Sequence, residues 1–245
     1  MYKEIIHLHE TASTSDYLSS IATPSADAMT VAVAEYQTAG RGQGYNKWES
    51  EKGKNLLFSI LTGSVEVAAR EQFVLSMAGA LALKAVLDGY CEDISLKWPN
   101  DIYWRDRKIS GTLIETSLAG KHIVRCIYGI GLNVNQREFR SDAPNPVSLY
   151  NIIGEETRLD TLLDSILERF EHYYQMAAEG KCDEISTEYH AALYRRDGMH
   201  AYEDSQTGER FEARIKGVEL CGLLHLVDSD GKERVYTLKE VRFVK

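Results

Sequence analysis

Hydrophobic positions in the first part of the chain form short runs typical of strands and one long run typical of a helix. Residues 30–36 are rich in β-branched side chains and residues 55–62 are a short, mostly apolar run, which predicts two strands. Residues 66–90 are rich in Ala and Leu, which predicts a long buried helix. Ser13, Thr14, Ser15 and Asp16 are helix N-cap residue types followed by apolar positions, so a short helix is expected to begin there.

The middle of the chain alternates between short apolar segments and charged turns. Residues 94–98 read as a strand that Pro99 ends, and residues 102–104 and 108–118 read as a hairpin turning at Arg105, Asp106 and Arg107. Residues 123–134 return as a further strand. Consecutive hairpins predict an α/β (α+β) fold, with a mixed, largely antiparallel sheet flanked by helices.

The last third of the chain changes from helical to β periodicity. Residues 158–180 carry apolar side chains at helical spacing, and residues 182–194 predict a second helix. Short β segments follow at 210–218, 222–227 and 233–244, with a tight turn at 228–231. We therefore expect a larger domain over residues 1–197 and a small β-barrel-like domain over residues 198–245.

Composition narrows the class of protein. The formal net charge of −9 argues against broad attraction to nucleic acid, so no nucleic-acid partner is expected. The four cysteines form no C-x-x-C pair and suit a reducing compartment. The first residues lack the apolar core of a signal peptide, and the longest apolar window, residues 73–87, is too short and too polar to span a bilayer. We expect a cytoplasmic protein without a membrane partner.

The run Gly40-Arg41-Gly42-Gln43-Gly44 carries the first sign of chemistry. Glycines remove the side chains that would keep a ligand from the backbone, and arginine suits carboxylate or phosphate oxygens. The same composition is also typical of a plain turn. Both interpretations stay open on this motif alone.

Three further segments are ambiguous in the same way. Lys97-Trp98-Pro99-Asn100-Asp101 either turns or presents Asn100 and Asp101 at a sheet edge, and Lys108 is either a solvated charge or a ligand contact. The segment Gly129-Ile130-Gly131-Leu132-Asn133-Val134-Asn135 fits either a bulge or a strand that another group approaches closely. In the second case, Asn133 and Asn135 would share one strand face and offer amides to a ligand.

Taken together, the motifs are specific. They occur in the order Ser-Thr-Ser, Gln-x-x-Gly-Arg-Gly, Lys-Trp-Pro-Asn-Asp, Lys-x-x-Gly and Gly-x-Gly-x-Asn-Val-Asn, between Ser13 and Asn135. This order resembles the biotin protein ligase family, whose members attach biotin to carboxylases. The β-rich end also looks like the small SH3-like domain of that family. Because the first strand begins within the first few residues, the chain is expected to be the monofunctional type, without a DNA-binding domain.

The resemblance implies two sets of ligand contacts and three catalytic residues. Biotin would be bound by Ser13, Thr14, Ser15, Gln37, Arg41, Gly42, Gln43, Lys108, Gly111 and Gly129. The nucleotide would be bound by Gly40, Arg41, Trp48 and Asn133, although a structural role for Trp48 stays open. Arg41, Lys108 and Asp101 would carry catalysis, with Asp101 at the place where the acceptor lysine arrives. Metal ligands stay unassigned.

The chemistry that the resemblance implies has two steps. Biotin and ATP, with Mg²⁺, would give biotinyl-5'-AMP, and a lysine of a biotin carboxyl carrier protein would then take the biotin. The oligomeric state stays open, with a homodimer as one alternative. One departure concerns the stretch Gln43-Gly44-Tyr45-Asn46, which stands where relatives carry further basic residues. Fewer cations there would weaken retention of the adenylate or shift that work to Arg41, Lys47 and Lys108.

Three alternatives remain at this point. Lipoate or octanoate ligation uses a related fold but would need an apolar slot and lacks the Gly-Arg-Gly and Lys-Trp-Pro-Asn-Asp pair of motifs. A noncatalytic biotin-binding module would have no use for both Arg41 and Lys108. A metal hydrolase is disfavoured because His7 and His9 have no third ligand nearby in the sequence.

Overall fold

The computed structural model describes residues 1–42, 48–140 and 145–244. Its strands are β1 Tyr2–Thr11, β2 Ala28–Gln37, β3 Leu56–Thr62, β4 Val65–Ala68, β5 Ile94–Lys97, β6 Asp101–Trp104, β7 Arg107–Ala119, β8 His122–Leu132, β9 His200–Asp204, β10 Arg210–Val218, β11 Leu224–Asp228, β12 Glu233–Tyr236 and β13 Val241–Phe243. Its helices are α1 Thr14–Ser19, α2 Phe73–Leu87, α3 Leu149–Ile153, α4 Leu159–Ala178 and α5 Cys182–Ala191.

The larger sheet has the strand order β1-β2-β3-β8-β7-β6-β5, with β4 paired to β8 off this path. Strands β1 and β2 run parallel, and the other pairs in this sheet are antiparallel. The prediction of a mixed, largely antiparallel sheet flanked by helices is therefore confirmed.

Helices α2 and α4 cover one face of this sheet. The apolar side of α4 buries Leu163, Leu167 and Phe170, as its helical spacing predicts. Tyr128 of β8 meets Phe170 edge to face, with ring centroids 4.8 Å apart. A Cβ on Gly79 of α2 would lie 3.3 Å from the Tyr128 ring, so the small residue lets helix and strand pack closely.

The helix predicted over residues 66–90 is wrong at its start. Val65 and Val67 are buried whereas Glu66 and Ala68 are exposed, which is the two-residue period of a strand. This segment pairs with β8 as strand β4, and a short 3₁₀ turn over Ala69–Glu71 precedes α2. The apolar composition was interpreted correctly as buried, but its period was missed.

Four smaller elements were also missed or merged. Helix α3 begins at a capping box, in which Ser148 and Asn151 satisfy each other's backbone N–H groups. Strand β9 was not predicted, and the predicted strand over 233–244 is two strands, β12 and β13. Lys239 adopts a φ of 74°, a turn conformation that breaks the strand between them.

The β segments near the C-terminus form a separate five-stranded antiparallel sheet in the order β12-β11-β10-β9-β13. It packs against the larger unit through the segment before β11. The Trp98 Nε1–H donates to the Gly222 carbonyl at 3.1 Å, and the Phe73 N–H donates to the Leu220 carbonyl at 3.0 Å. The second sheet is thus held where β13 faces the end of β5. Within the described residues, no helix has the length and apolarity to cross a membrane.

Candidate active site

A cavity of about 540 Å³ opens between the larger sheet and strand β13. Its walls come from the start of α1, the end of β2, the connection between β5 and β6, the middle of β7 and β8, and β13. The residues predicted from the sequence that line it are Ser13, Thr14, Ser15, Gln37, Arg41, Gly42, Trp48, Asp101, Lys108, Gly111 and Gly129. Residues more than a hundred positions apart are thereby brought to one site.

Two of the predicted nucleotide contacts do not line the cavity, and one predicted biotin contact cannot be placed. Gly40 lies beside the cavity, where its carbonyl accepts from the Trp48 N–H at 3.1 Å. Asn133 is buried, and its side-chain amide donates to the Val147 carbonyl at 3.1 Å. Gln43 lies outside the described residues, as does the rest of the stretch that departs from the family pattern.

The asparagine pair does not share a strand face, because β8 ends at Leu132. Asn135 bonds the backbone of Thr157 in both directions, with both distances 2.9 Å. Its amide is therefore used to hold the segment before α4 against the end of β8. Asn133 and Asn135 therefore make separate contacts and do not present a shared face to a ligand.

One end of the cavity is a cluster of hydroxyl and amide groups. Ser13 caps α1 by accepting from the Asp16 N–H, as its residue type predicts. The Gln37 Oε1 accepts from the Thr14 N–H at 2.7 Å and lies 3.1 Å from the Thr14 Oγ1. Ser13, Thr14 and Ser15 are all buried despite being polar, so this end suits a neutral, hydrogen-bonding ligand group.

A second part of the cavity carries an arginine. The Arg41 guanidinium contacts the Asp16 Oδ1 at 2.7 Å and the Glu115 Oε2 at 3.1 Å. The Arg41 side chain is 40% exposed, so these ion pairs are worth little and leave the cation available to another anion.

A second predicted cation is Lys108, whose Nζ lies 2.5 Å from the Asp101 Oδ1. The two side chains stand on the paired strands β7 and β6, so the hairpin that the sequence predicted creates the contact. The Lys108 Nζ also lies 5.7 Å from the centroid of the Trp48 ring. A cation, a carboxylate and a flat aromatic surface therefore converge at one wall.

Two glycines of β8 permit close approach instead of forming a bulge. The pairing of β8 with β3 and β7 runs in register through Gly129 and Gly131, which excludes the bulge. A Cβ on Gly129 would lie 2.4 Å from the Ser15 Oγ, and one on Gly131 would lie 2.4 Å from the Trp48 ring. Gly131 was not predicted as a site residue, although its place two positions from Gly129 was a usable signal.

Sequence reasoning missed the wall that the C-terminal sheet contributes. Lys239, Val241, Arg242 and Phe243 line the cavity. The Lys97 Nζ stands 5.3 Å from the centroid of the Phe243 ring across this boundary. No local signal connects these positions, because Lys97 is far from residues 239–243 in the chain and meets them only through tertiary packing.

Metal ligation by His7 and His9 is not supported in the described ranges. No cluster of three or more His, Cys, Asp or Glu side chains is arranged there to hold an ion. His9 instead contacts the Glu35 carboxylate at 3.0 Å on the exposed face of the sheet.

Comparison with protein-family models matches residues 8–133, more than half of the 245-residue chain, to the biotin/lipoate A/B protein ligase family. The chain belongs to this family. The matched residues contain every motif except the last residues of the Asn-Val-Asn run, so the resemblance seen in the sequence is confirmed at the level of the family.

Individual relatives agree with that assignment. The chain is 29% identical to the bifunctional ligase/repressor BirA of Bacillus subtilis over 248 aligned positions, which cover 97% of this chain and 73% of the relative. It is 35% identical to the BirA of Salmonella typhimurium over 114 positions, and that match spans only 46% of this chain and 35% of the relative. A solved biotin protein ligase from Aquifex aeolicus in complex with biotin and ATP superposes with a TM-score of 0.79 at 26% identity, covering 98% of this chain and 99% of that one.

Proposed function

We propose that this protein activates biotin with ATP to form biotinyl-5'-AMP and then transfers biotin to a lysine of a biotin carboxyl carrier protein domain. The observation that carries the proposal is the make-up of the cavity. One end offers buried hydroxyl and amide groups to an uncharged polar ring, and the cations that line the same cavity include Arg41 and Lys108. Biotin combines a neutral ureido ring with a carboxylate, and ATP supplies phosphates.

In the first step, the biotin carboxylate attacks the α-phosphorus of ATP and pyrophosphate leaves. Negative charge gathers on the phosphoryl oxygens during this attack, and we assign its stabilisation to Arg41 and Lys108. Ser13, Thr14, Ser15 and Gln37 would hold the ureido end. Gly42, Gly111 and Gly129 also line the cavity, where the missing side chains of Gly111 and Gly129 leave room for Lys108 and Ser15 beside them.

We assign to Trp48 the surface that packs against the nucleotide, because its ring lies beside Gly111 of β7 and Gly131 of β8 and near Lys108. The nucleotide contact of Asn133 stays a prediction: its amide N–H donates to the Val147 carbonyl, and its Oδ1 has no hydrogen-bond partner among the described residues. Gly40 is assigned an indirect role, since its carbonyl fixes the Trp48 backbone. Gln43 keeps its biotin contact only as a prediction.

In the second step, the lysine amine of the carrier domain attacks the acyl carbon of the mixed anhydride and AMP leaves. We assign to Asp101 the task of orienting this amine or accepting its proton. Asp101 is only partly buried at the cavity wall, so an incoming lysine from solvent can reach it. No nucleophile from this chain is needed.

Magnesium is best treated as part of the nucleotide substrate. Mg²⁺ favours phosphate oxygens and water with one or two carboxylates, so it does not require a cage of protein ligands. Among the described residues that line the cavity, Asp101 is the carboxylate, and it would first have to leave Lys108. We therefore propose Mg-ATP as the substrate and name no protein ligand.

The second sheet is proposed to act as a small C-terminal domain from residue 198, with the catalytic domain over residues 1–197. Its contact with Trp98 and its contribution to the cavity wall support a role in closing the site around a ligand. A homodimer, a cytoplasmic location, the lack of a nucleic-acid partner and the monofunctional organisation remain predictions from the sequence.

The decisive experiment is ATP–pyrophosphate exchange with biotin and with lipoate, run side by side on the same protein. Exchange with biotin alone is the expected result, and Lys108→Ala should reduce it strongly because a cation at the reacting phosphate is lost. Exchange with lipoate alone would replace this proposal by lipoate ligation. Biotin binding without exchange would favour the noncatalytic module.

A further inference from the structure

Ser59, on β3, is a fully buried serine that the cavity does not touch, yet it contacts two of the side chains that do. Its Oγ lies 2.7 Å from the Thr14 Oγ1 and 3.0 Å from the Ser15 Oγ. Ser59 is also the residue paired with Gly129 across the sheet. Because Gly129 has no side chain, the Ser15 hydroxyl can occupy the space beside it and reach Ser59.

The direction of every hydrogen bond in this cluster follows from one backbone group. The Thr14 N–H can only donate, so the Gln37 side chain must turn its oxygen toward it, at 2.7 Å. The Thr14 hydroxyl lies 3.1 Å from that same oxygen and therefore donates to it. A hydroxyl has one hydrogen, so Thr14 must accept from Ser59, and Ser59 must accept from Ser15.

This fixed order of donors and acceptors determines which hydrogen-bonding groups the cavity presents to a ligand. The hydrogen of Ser15 is used in the chain, which leaves its oxygen lone pairs as acceptors. The oxygen of Gln37 accepts from Thr14, which leaves its amide NH₂ as the donor. A cyclic urea has N–H donors and a carbonyl acceptor and so matches this polarity, whereas a dithiolane ring has neither group.

We propose that Ser59 is a positioning residue that fixes the hydrogen-bond polarity of the biotin end of the cavity and thereby favours a ureido ligand. This inference rests on the proposed function. Without the Ser59 hydroxyl, Thr14 loses the donor that points at it and the Ser15 hydroxyl hydrogen loses its acceptor. Ser15 is then free to turn, and the acceptor at the ligand is no longer held in place.

The test is Ser59→Ala, measured by calorimetric binding of biotin and of desthiobiotin, which keeps the urea, and by exchange kinetics. We expect the Kd of both ligands to rise about tenfold, as for the loss of one well-placed hydrogen bond. The KM for ATP and kcat should change by less than about twofold, because Arg41 and Lys108 are untouched. General damage to the fold would instead move all of these values together.

Ser110→Ala is the matched control, because Ser110 is equally buried in the same sheet and its hydroxyl donates to the Gly131 carbonyl at 2.8 Å. It should leave the Kd for biotin within about twofold. Ser59→Cys keeps a weaker donor of similar size and should fall between wild type and Ser59→Ala. If either Ser59 variant fails to fold, the other carries the comparison.

The outcomes separate the two proposals. Wild-type protein that binds no biotin would refute the proposed function. Wild-type protein that binds biotin, with Ser59→Ala or Ser59→Cys binding it equally tightly, would overturn the role of Ser59 and leave the function standing. A rise in the Kd that Ser110→Ala reproduces would also overturn it, because the effect would then follow from the loss of any buried serine hydroxyl.

Discussion

Asp101→Asn tests the second chemical step, and the ion pair with Lys108 determines how the result must be interpreted. The change keeps the shape of the side chain and removes its charge. Two unit charges about 4 Å apart attract by roughly 4 kcal/mol at an effective dielectric constant of about 20. Desolvation and lost side-chain freedom offset most of this, and the Lys108 side chain is 33% exposed. The expected loss of folding free energy is therefore about 1 kcal/mol or less.

The effect on chemistry should be much larger in one step than in the other. If Asp101 accepts the proton of the incoming amine, its loss should slow transfer by about 100-fold or more. Pyrophosphate exchange should change by less than about fivefold, since the cations that face the phosphates remain. Exchange measures the first step alone, and single-turnover transfer from preformed biotinyl-5'-AMP to a carrier domain measures the second.

Asp93→Asn is the control for loss of an aspartate ion pair. The Asp93 Oδ2 lies 2.9 Å from the Arg105 Nε at the exposed end of the same strand pair, and neither residue lines the cavity. This variant should leave both steps unchanged. Normal transfer by Asp101→Asn from preformed adenylate would refute the role of Asp101. An equal, large loss in both steps would show instead that Asp101 acts by holding Lys108 in place.

Glu115→Gln should lower the KM for ATP by about two- to fivefold, because Arg41 is freed from one exposed carboxylate partner. Steady-state exchange kinetics measure this KM, and an increase in it would argue against Arg41 as a phosphate contact. Gly131→Ala should cost about 1–3 kcal/mol of folding free energy in denaturant titrations, since the new methyl group would collide with the Trp48 ring, and an unchanged midpoint would contradict that packing. Burial raises the pKa of the Cys126 thiol to about 12, so a thiol reagent at pH 8 should modify it only after unfolding, and mapping by mass spectrometry would reveal any earlier reaction.

The elements that could be predicted are those whose signals are local. The start of α1 was predicted from Ser13 because a cap acts within a few residues. The 105–107 turn was predicted because charged residues interrupt an alternating pattern. The start of α2 was placed wrongly because Val65 and Val67 are apolar in either structure, and only pairing with β8 selects the strand.

The resemblance located the motifs that carry chemistry, but it did not predict the contacts that their side chains make with the rest of the fold. Ser59 drew no attention, because a serine in an apolar strand carries no pattern of its own. Its role depends on contacts with residues 44 and 45 positions away in the chain. Gly129 was noticed, yet the group that approaches it is Ser15, which the sequence offered no means to identify.

Net charge illustrates the same division between local and tertiary information. A formal charge of −9 argues against a nucleic-acid surface, but it does not say how an acidic protein would hold anionic substrates. In the structure, Arg41 and Lys108 each stand against carboxylates of their own chain. A phosphate or carboxylate must therefore compete with these partners. The acidic side chains next to the cavity thus weaken anion binding by competing for the cations. Neutralising Glu115 removes only such a competitor, whereas neutralising Asp101 also removes the group to which the transfer step is assigned.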